Sequence, residues 1–270
     1  MTELLRQNLF EFGKFITDNN EKEYFTLPRL SYITRQTLVA LDFIHQNGLD
    51  HSDVKPENIL LSSYSRAKVK LIDFGSSCYL TDRQSSYIQS RSYRAPEVVL
   101  GLPYDGRIDI WSLGCVVAEM FTGEVTFQND SVVSMLSRIE GICGTLPKRM
   151  TSEGRQSATY YTRTGLLYEK AKGSVDDDSY SDEESSNTGD EAPSNYNIYQ
   201  PKRTTLAARL GCEENLMSAF DSKQSLSRHL REQAIFCDFV QYLLMVDPEK
   251  RPTATAALKH PWMDYANSLS

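Results

Sequence analysis

No two of the five cysteines (Cys78, Cys115, Cys143, Cys212, Cys237) stand closer than 25 residues. That spacing supplies no close metal-ligand pair, and an odd, scattered set implies no disulfide framework, so a reducing intracellular compartment, cytoplasmic or nuclear, is expected. The four histidines show no ligand spacing either. Long apolar runs are also lacking: the longest, Ile110 to Ala118, is broken by Ser112 and stopped by Glu119, well short of the roughly 20 residues that cross a bilayer. "MTELLRQNLFEF" has Glu and Arg among its apolar positions and no small-residue cleavage site, a poor signal peptide. Basic charge is not in excess. The net charge is -7, and eight acidic residues with no Lys or Arg lie between Val175 and Glu191, leaving 28 acidic against 29 basic elsewhere. A near-neutral body gives no footprint for nucleic acid, so neither a nucleic-acid nor a membrane partner is expected. "GLPYDGR" from Gly101 is no P-loop, because Arg107 and Ile108 stand where Lys and a hydroxyl are needed.

What is present reads as a helical protein with a few short strands. The 270 residues suffice for one large domain or two modest ones. Leu4, Leu5, Leu9, Phe12, Phe15 and Ile16 recur at helical steps, and Pro28 opens a longer helix with its stripe at Leu30, Ile33, Leu38, Leu41 and Ile44, stopped by Gly48. "NILL" and "KVKLID", joined by "SSYSRA", predict a β-hairpin. "RIDIWSLGCVVAEMFTG" is apolar nearly all round, the composition of a helix inside a core. "SVVSMLSRIEGICG" and "AIFCDFVQYLLMVDP" predict two more helices. From about 173 to 200 the chain is acidic, Ser-rich and poor in bulky apolar residues, which predicts a disordered or merely solvated insert.

The chemistry concentrates in "GLDHSDVKPENILL", Gly48 to Leu61. Phosphoryl transfer needs a carboxylate to orient the attacking hydroxyl and take its proton, oxygen ligands for Mg²⁺, and positive charge near the phosphate. Asp53 suits the base, Lys55 the cation and Asn58 a metal ligand. Asp73 in "LIDFGSS" follows fifteen residues after Asn58 at the end of the second hairpin strand, where it returns to the same cleft as a second Mg²⁺ ligand. Each part alone is weak, since a lone loop aspartate is more often a turn former or helix cap.

Together these motifs resemble the catalytic and metal-binding loops of eukaryotic protein kinases in order and spacing. "APE" at Ala95 to Glu97 is similar to the marker that closes the family's activation segment, and "DIWSLG" to the start of its central helix. The resemblance implies that Asp109 holds the catalytic-loop backbone, that Arg251 in "DPEKRPTATAALKHPW" pairs with Glu97, and that His51 packs beneath the loop rather than shuttling protons. It also implies ATP and Mg²⁺ as cofactors and protein substrates as partners, with the oligomeric state open. The implied fold is mainly α: a kinase-like C-terminal lobe with short β-hairpins about the catalytic loop, spanning 1–270 with the acidic stretch as an insert.

Ser52 stands where most kinases carry Arg. The dual-specificity tyrosine-regulated kinase family, of the CMGC group, has a small Cys there, and "YIQSRSYRAPEVVLGLPYD" together with "DFGSSC" resembles that family. The likeness implies a self-made phosphotyrosine at Tyr87 received by Arg91 and Arg94; the plain alternative is an aromatic packing in a loop. Ser90 matches the hydroxyl by which serine/threonine kinases bond the catalytic Asp and Lys, and the resemblance implies acceptors followed by Pro.

Three of the family's parts are not found: a glycine-rich phosphate loop, a strand lysine and its helix glutamate. "TELL" at Thr2 to Leu5 resembles the hinge between lobes, with Thr2 near the gatekeeper position and Glu3, Leu5 and Leu60 as nucleotide-binding positions. The expectation is therefore a chain that starts where the N-terminal β-rich lobe should end. Two readings follow: the large lobe of a serine/threonine kinase, or an inactive pseudokinase acting as an interaction module.

Overall fold

The computed structural model describes residues 7–19, 24–79, 81, 88–128, 130–170, 196–212 and 228–269. Helix α1 (Leu9–Asp18) opens where the Asn8 side chain accepts the Glu11 N–H at 2.8 Å, and it buries Leu9, Phe12 and Ile16. It therefore starts later than the periodicity suggests; Leu4 and Leu5 lie outside the described residues. Helix α2 (Leu27–Gln46) is capped by Thr26, with Pro28 in its first turn. It ends at Asn47, and Gly48 turns the chain with φ +74°, the left-handed region glycine tolerates.

Among the described residues three two-stranded antiparallel sheets follow. Strand β1 (Leu49–Asp50) pairs with β4 (Cys78–Tyr79), and β2 (Ile59–Ser63) with β3 (Lys68–Leu71). The second pair is the expected hairpin, with Ile59 opposite Leu71. Helix α3 (Pro96–Val99) is a single turn, and α4 (Arg107–Thr122) is the axle of the fold. Its residues from Ile108 to Met120 are all buried, which is why its sequence shows no polar face. Gly114 allows the close approach of a later helix: a Cβ there would lie 2.8 Å from Leu244.

Helices α5 (Val132–Cys143), α6 (Lys148–Glu153) and α7 (Ser157–Tyr160) lead to β5 (Leu167–Lys170), which pairs with β6 (Tyr196–Tyr199). Strand β6 corrects the reading of 173–200 as one disordered insert. "YNIY" carries two Tyr and an Ile, residue types that favour strands, but averaging over its acidic, Ser-rich surroundings hides it. The rest of that insert, through 195, lies outside the described residues. Helix α8 (Leu206–Arg209) precedes α9 (Arg228–Leu243) and the short α10 (Ala254–Ala257). Phe236 and Phe239 of α9 stack around Trp262, and Ser31 of α2 donates to the Trp262 carbonyl at 2.8 Å. This helical core is the platform on which the loop after β1 rests.

Candidate active site

The loop from His51 to Asn58 is held from below by one carboxylate. Asp109, fully buried in the first turn of α4, accepts the backbone N–H of His51 on Oδ2 at 2.8 Å and that of Ser52 on Oδ1 at 2.9 Å. His45 of α2 adds Nε2 at 2.8 Å to Oδ2. Burial alone would lower the His45 pKa, but the hydrogen bond and charge of Asp109 more than reverse it, and the net shift is upward. Gly106 makes this contact possible, because a Cβ there would sit 2.9 Å from the His45 ring.

Ser52 takes a left-handed backbone, φ +65°, and is completely buried; its hydroxyl has no partner among the described residues. The small side chain fits because its carbonyl is used, accepting the Gln89 N–H at 3.0 Å. Both ring nitrogens of His51 are also committed: Nδ1 accepts the Asp53 N–H at 3.3 Å, which assigns the proton to Nε2, donating to the Ile72 carbonyl at 2.9 Å. With Phe74 against its ring at 5.1 Å between centroids, His51 is a joint between two loops.

Above this base the Asp53 carboxylate collects its neighbours. Oδ1 accepts the Ser90 hydroxyl at 2.8 Å and the Ser90 N–H at 3.2 Å. Oδ2 accepts Lys55 Nζ at 2.6 Å and Asn58 Nδ2 at 3.2 Å. Lys55 Nζ also reaches Ser90 Oγ at 3.2 Å, and Asn58 Nδ2 the Asp53 carbonyl at 2.8 Å. Side chains from two loops, 37 residues apart in sequence, thus fix one carboxylate that remains partly exposed.

Asp73 comes to the same end of the hairpin. The Ile72 N–H donates to the Asn58 carbonyl at 2.9 Å, so Asp73 is the first residue past that link, left-handed at φ +64° and exposed. Its Oδ1 accepts the Gly75 N–H at 3.2 Å. With Asn58 Nδ2 spent on Asp53, its Oδ1 is the atom left for a cation, and an amide oxygen beside a carboxylate is the hard donor set that suits Mg²⁺. No group of three or more His, Cys, Asp or Glu able to hold a metal occurs among the described residues.

The other expected positions divide. Glu97 and Arg251 form a buried bidentate pair, Nη1 to Oε1 at 2.5 Å and Nη2 to Oε2 at 2.9 Å. Leu60 lies half-buried in β2 opposite Lys70, and Asn8 bridges to it. Arg94 spends Nε on the Ile88 carbonyl and Nη2 on the Gln89 carbonyl, both at 2.8 Å, while Arg91 is exposed. Thr2, Glu3, Leu5 and Tyr87 lie outside the described residues.

Sequence reading missed two residues that shape the segment after Ser90. Gln89, left-handed at φ +65°, sends its amide to the Ile108 carbonyl and Ser112 Oγ and accepts the Ala95 N–H. No periodicity marks a glutamine in a loop, though its place in "IQSRSYRAPE" sets it beside the matched motif. Glu119, on α4, accepts the Tyr93 hydroxyl at 2.7 Å. Burial raises the Glu119 carboxyl from 4.5 to about 6; the Tyr93 bond opposes the shift and Glu57 adds to it.

Because the folded value exceeds the unfolded one, the contribution of Glu119 to stability is complete below about pH 4.5 and is lost as pH rises through about 6. The loss amounts to about 2 kcal/mol at 1.36 kcal/mol per pKa unit. Glu119→Gln is therefore expected to unfold in urea with a flatter pH dependence between 4.5 and 7 than the parent; an unchanged slope would refute the assignment.

The sequence matches the family described as "Protein kinase domain" over residues 2–263. Among its relatives, dual specificity tyrosine-phosphorylation-regulated kinase mbk-2 of Caenorhabditis elegans is 33% identical over 263 residues, covering 97% of this chain and 29% of that protein. Dual specificity tyrosine-phosphorylation-regulated kinase 4 of Homo sapiens is 32% identical over 268 residues, 99% of this chain and 43% of that protein. Serine/threonine-protein kinase ppk15 of Schizosaccharomyces pombe is 33% identical over 272 residues, 98% and 47%. The chain spans less than half the length of each of these relatives. A match that runs through both loops of the cleft and on to the helix turn after Arg251 leaves one assignment: this chain belongs to the protein kinase domain family, among relatives of the dual-specificity tyrosine-phosphorylation-regulated type.

Proposed function

We propose that this chain forms the catalytic lobe of a protein serine/threonine kinase that transfers the γ-phosphate of ATP to protein hydroxyls. The observation that carries this reading is the Asp53 carboxylate held between Lys55, Asn58 and Ser90. Asp53 orients the acceptor hydroxyl and takes its proton. Lys55 brings positive charge to the transferring group. Asn58 and Asp73 would hold Mg²⁺, which supplies charge neutralisation at the phosphates when bound. Ser90, bonded to both Asp53 and Lys55, favours Ser and Thr acceptors. Glu3, Leu5 and Leu60 are proposed for the adenine side. Tyr87 is proposed as a self-phosphorylated residue, received by Arg91 and Arg94. Five free cysteines are in keeping with an intracellular setting.

A glycine-rich loop and a strand lysine are not among these 270 residues, and residues supplied in addition to them are proposed to complete the nucleotide cleft. Assayed alone with labelled ATP and Mg²⁺, the chain is expected to give little or no turnover. Joined behind a β-rich lobe that carries both motifs, it should label Ser and Thr peptides in preference to Tyr peptides. Robust activity of the 270 residues alone, or equal labelling of Tyr peptides by the joined protein, would overturn the reading.

A further inference from the structure

Away from the Asp53 cleft, two thiols meet. Cys212 follows α8, Cys237 lies in the middle of α9, and both are about 95% buried, at 5% and 4% exposure. Cys237 Sγ donates to Cys212 Sγ at 2.7 Å. That is much closer than two sulfurs in mere contact and approaches the bonded separation of about 2.05 Å. No other pair of the five cysteines has a sulfur-to-sulfur hydrogen bond, and Cys78 spends its weak donor on the Tyr79 carbonyl.

We propose that Cys212 and Cys237 are a reversible disulfide site that locks the segment around α8 to helix α9. A metal is the competing use of two thiols, but no third ligand converges on them among the described residues. The hydrogen bond from Cys237 holds the Cys212 thiol below its ordinary value and, with burial, pushes Cys237 up, so Cys212 is the thiolate that attacks first. With hydrogen peroxide as oxidant, the Cys212 thiolate displaces hydroxide from the O–O bond and becomes the sulfenic acid. Cys237 then gives up its proton and attacks that sulfur, releasing water. The balance is two thiols and one peroxide to one disulfide and two waters; a dithiol reductant reverses it.

The position gives the bond a consequence. The Cys212 N–H donates to the Ala207 carbonyl at 2.8 Å. Ala207 lines a cavity of about 710 Å³ together with Gln241 of α9 and Leu244 just past its end. Cys237 is one helical turn before Gln241. The disulfide would therefore tie together two of the segments that line this cavity.

The 270-residue protein, exposed to hydrogen peroxide and then alkylated, is expected to take up three alkyl groups instead of five, the unalkylated pair being 2 Da lighter than two thiols. Digestion with trypsin without reductant should yield residues 210–223 joined to residues 232–250. Dithiothreitol should separate them, and the thermal midpoint of the oxidised form should lie roughly 5–10 °C above the reduced form. Cys237→Ser should abolish the linked peptide, whereas Cys78→Ser should not. Both thiols alkylated after peroxide, a linkage through another cysteine, or Cys212 accumulating only as sulfinic acid in the parent protein would each overturn the proposal; none of these readouts depends on the variants folding.

Discussion

On the proposed function, Asp53→Asn is expected to lower phosphoryl transfer by about 10²–10⁴-fold, the range a positioned general base contributes, while leaving the protein folded. The measurement is single-turnover transfer by these residues joined to a nucleotide-binding lobe, alongside the thermal midpoint of parent and variant. The substitution keeps the shape and one acceptor oxygen, so Ser90 retains its partner on Oδ1. What disappears is the negative charge that Lys55 Nζ contacts at 2.6 Å and the basicity needed to take the hydroxyl proton. Because the carboxylate is partly exposed, losing that ion pair is a modest perturbation of stability, about 1 kcal/mol or less. A variant within threefold of parent activity would remove Asp53 from the chemistry. A variant that failed to fold would show the four contacts to be structural instead.

The second large effect concerns stability. Arg251→Ala is expected to cost about 3–5 kcal/mol, the range for removing one partner of a buried ion pair. Arg251 is fully buried and uses its whole fork: two bonds to Glu97, Nε to the Met245 carbonyl at 2.8 Å, and Nη1 to the Arg107 carbonyl at 3.1 Å. Its guanidinium also lies 5.1 Å from the Trp111 ring centroid. Alanine would strand the Glu97 carboxylate and two carbonyls beside a cavity. Most of the cost is the orphaned charge rather than the lost attraction, so Glu97→Gln combined with Arg251→Met should recover part of it. Urea unfolding of the two single variants and the double variant measures this directly. A single-variant cost below 1 kcal/mol would mean that the pair is not a brace between α3 and the C-terminal helices.

These two sites differ in how far the sequence discloses them. The Asp53 loop is compact: base, cation and amide fall within six residues, and the hairpin that returns Asp73 announces itself by two β-rich runs. Helix α4 is equally plain, because a helix buried on every side can carry no polar stripe. Glu97 and Arg251 are 154 residues apart, and nothing local in either segment points to the other; only the likeness to kinases suggests their pairing. Glu119 carries no sequence signal and Gln89 only its place beside the matched motif, since each works through a partner that packing, not spacing, brings near. The strands β1 and β4 have two residues each, too few for alternation to register. Strand β6 is lost to the opposite problem, a short ordered run inside a long polar composition. Ser52 shows the limit from the other side. Its identity was conspicuous as a departure from the common Arg, yet its left-handed backbone and full burial emerge only from the fold.

Asn58 and Asp73 are proposed to present oxygens to one divalent cation beside the Asp53 base. Manganese, a paramagnetic stand-in for magnesium, tests it when titrated with ADP into these 270 residues, isotopically labelled and joined behind a nucleotide-binding lobe. Selective broadening of the backbone amide signals of Asn58, Asp73 and Gly75, dependent on the nucleotide and abolished by Asp73→Asn, is the predicted result. Broadening confined to the acidic stretch 175–191, or indifferent to ADP and to that substitution, would contradict the account.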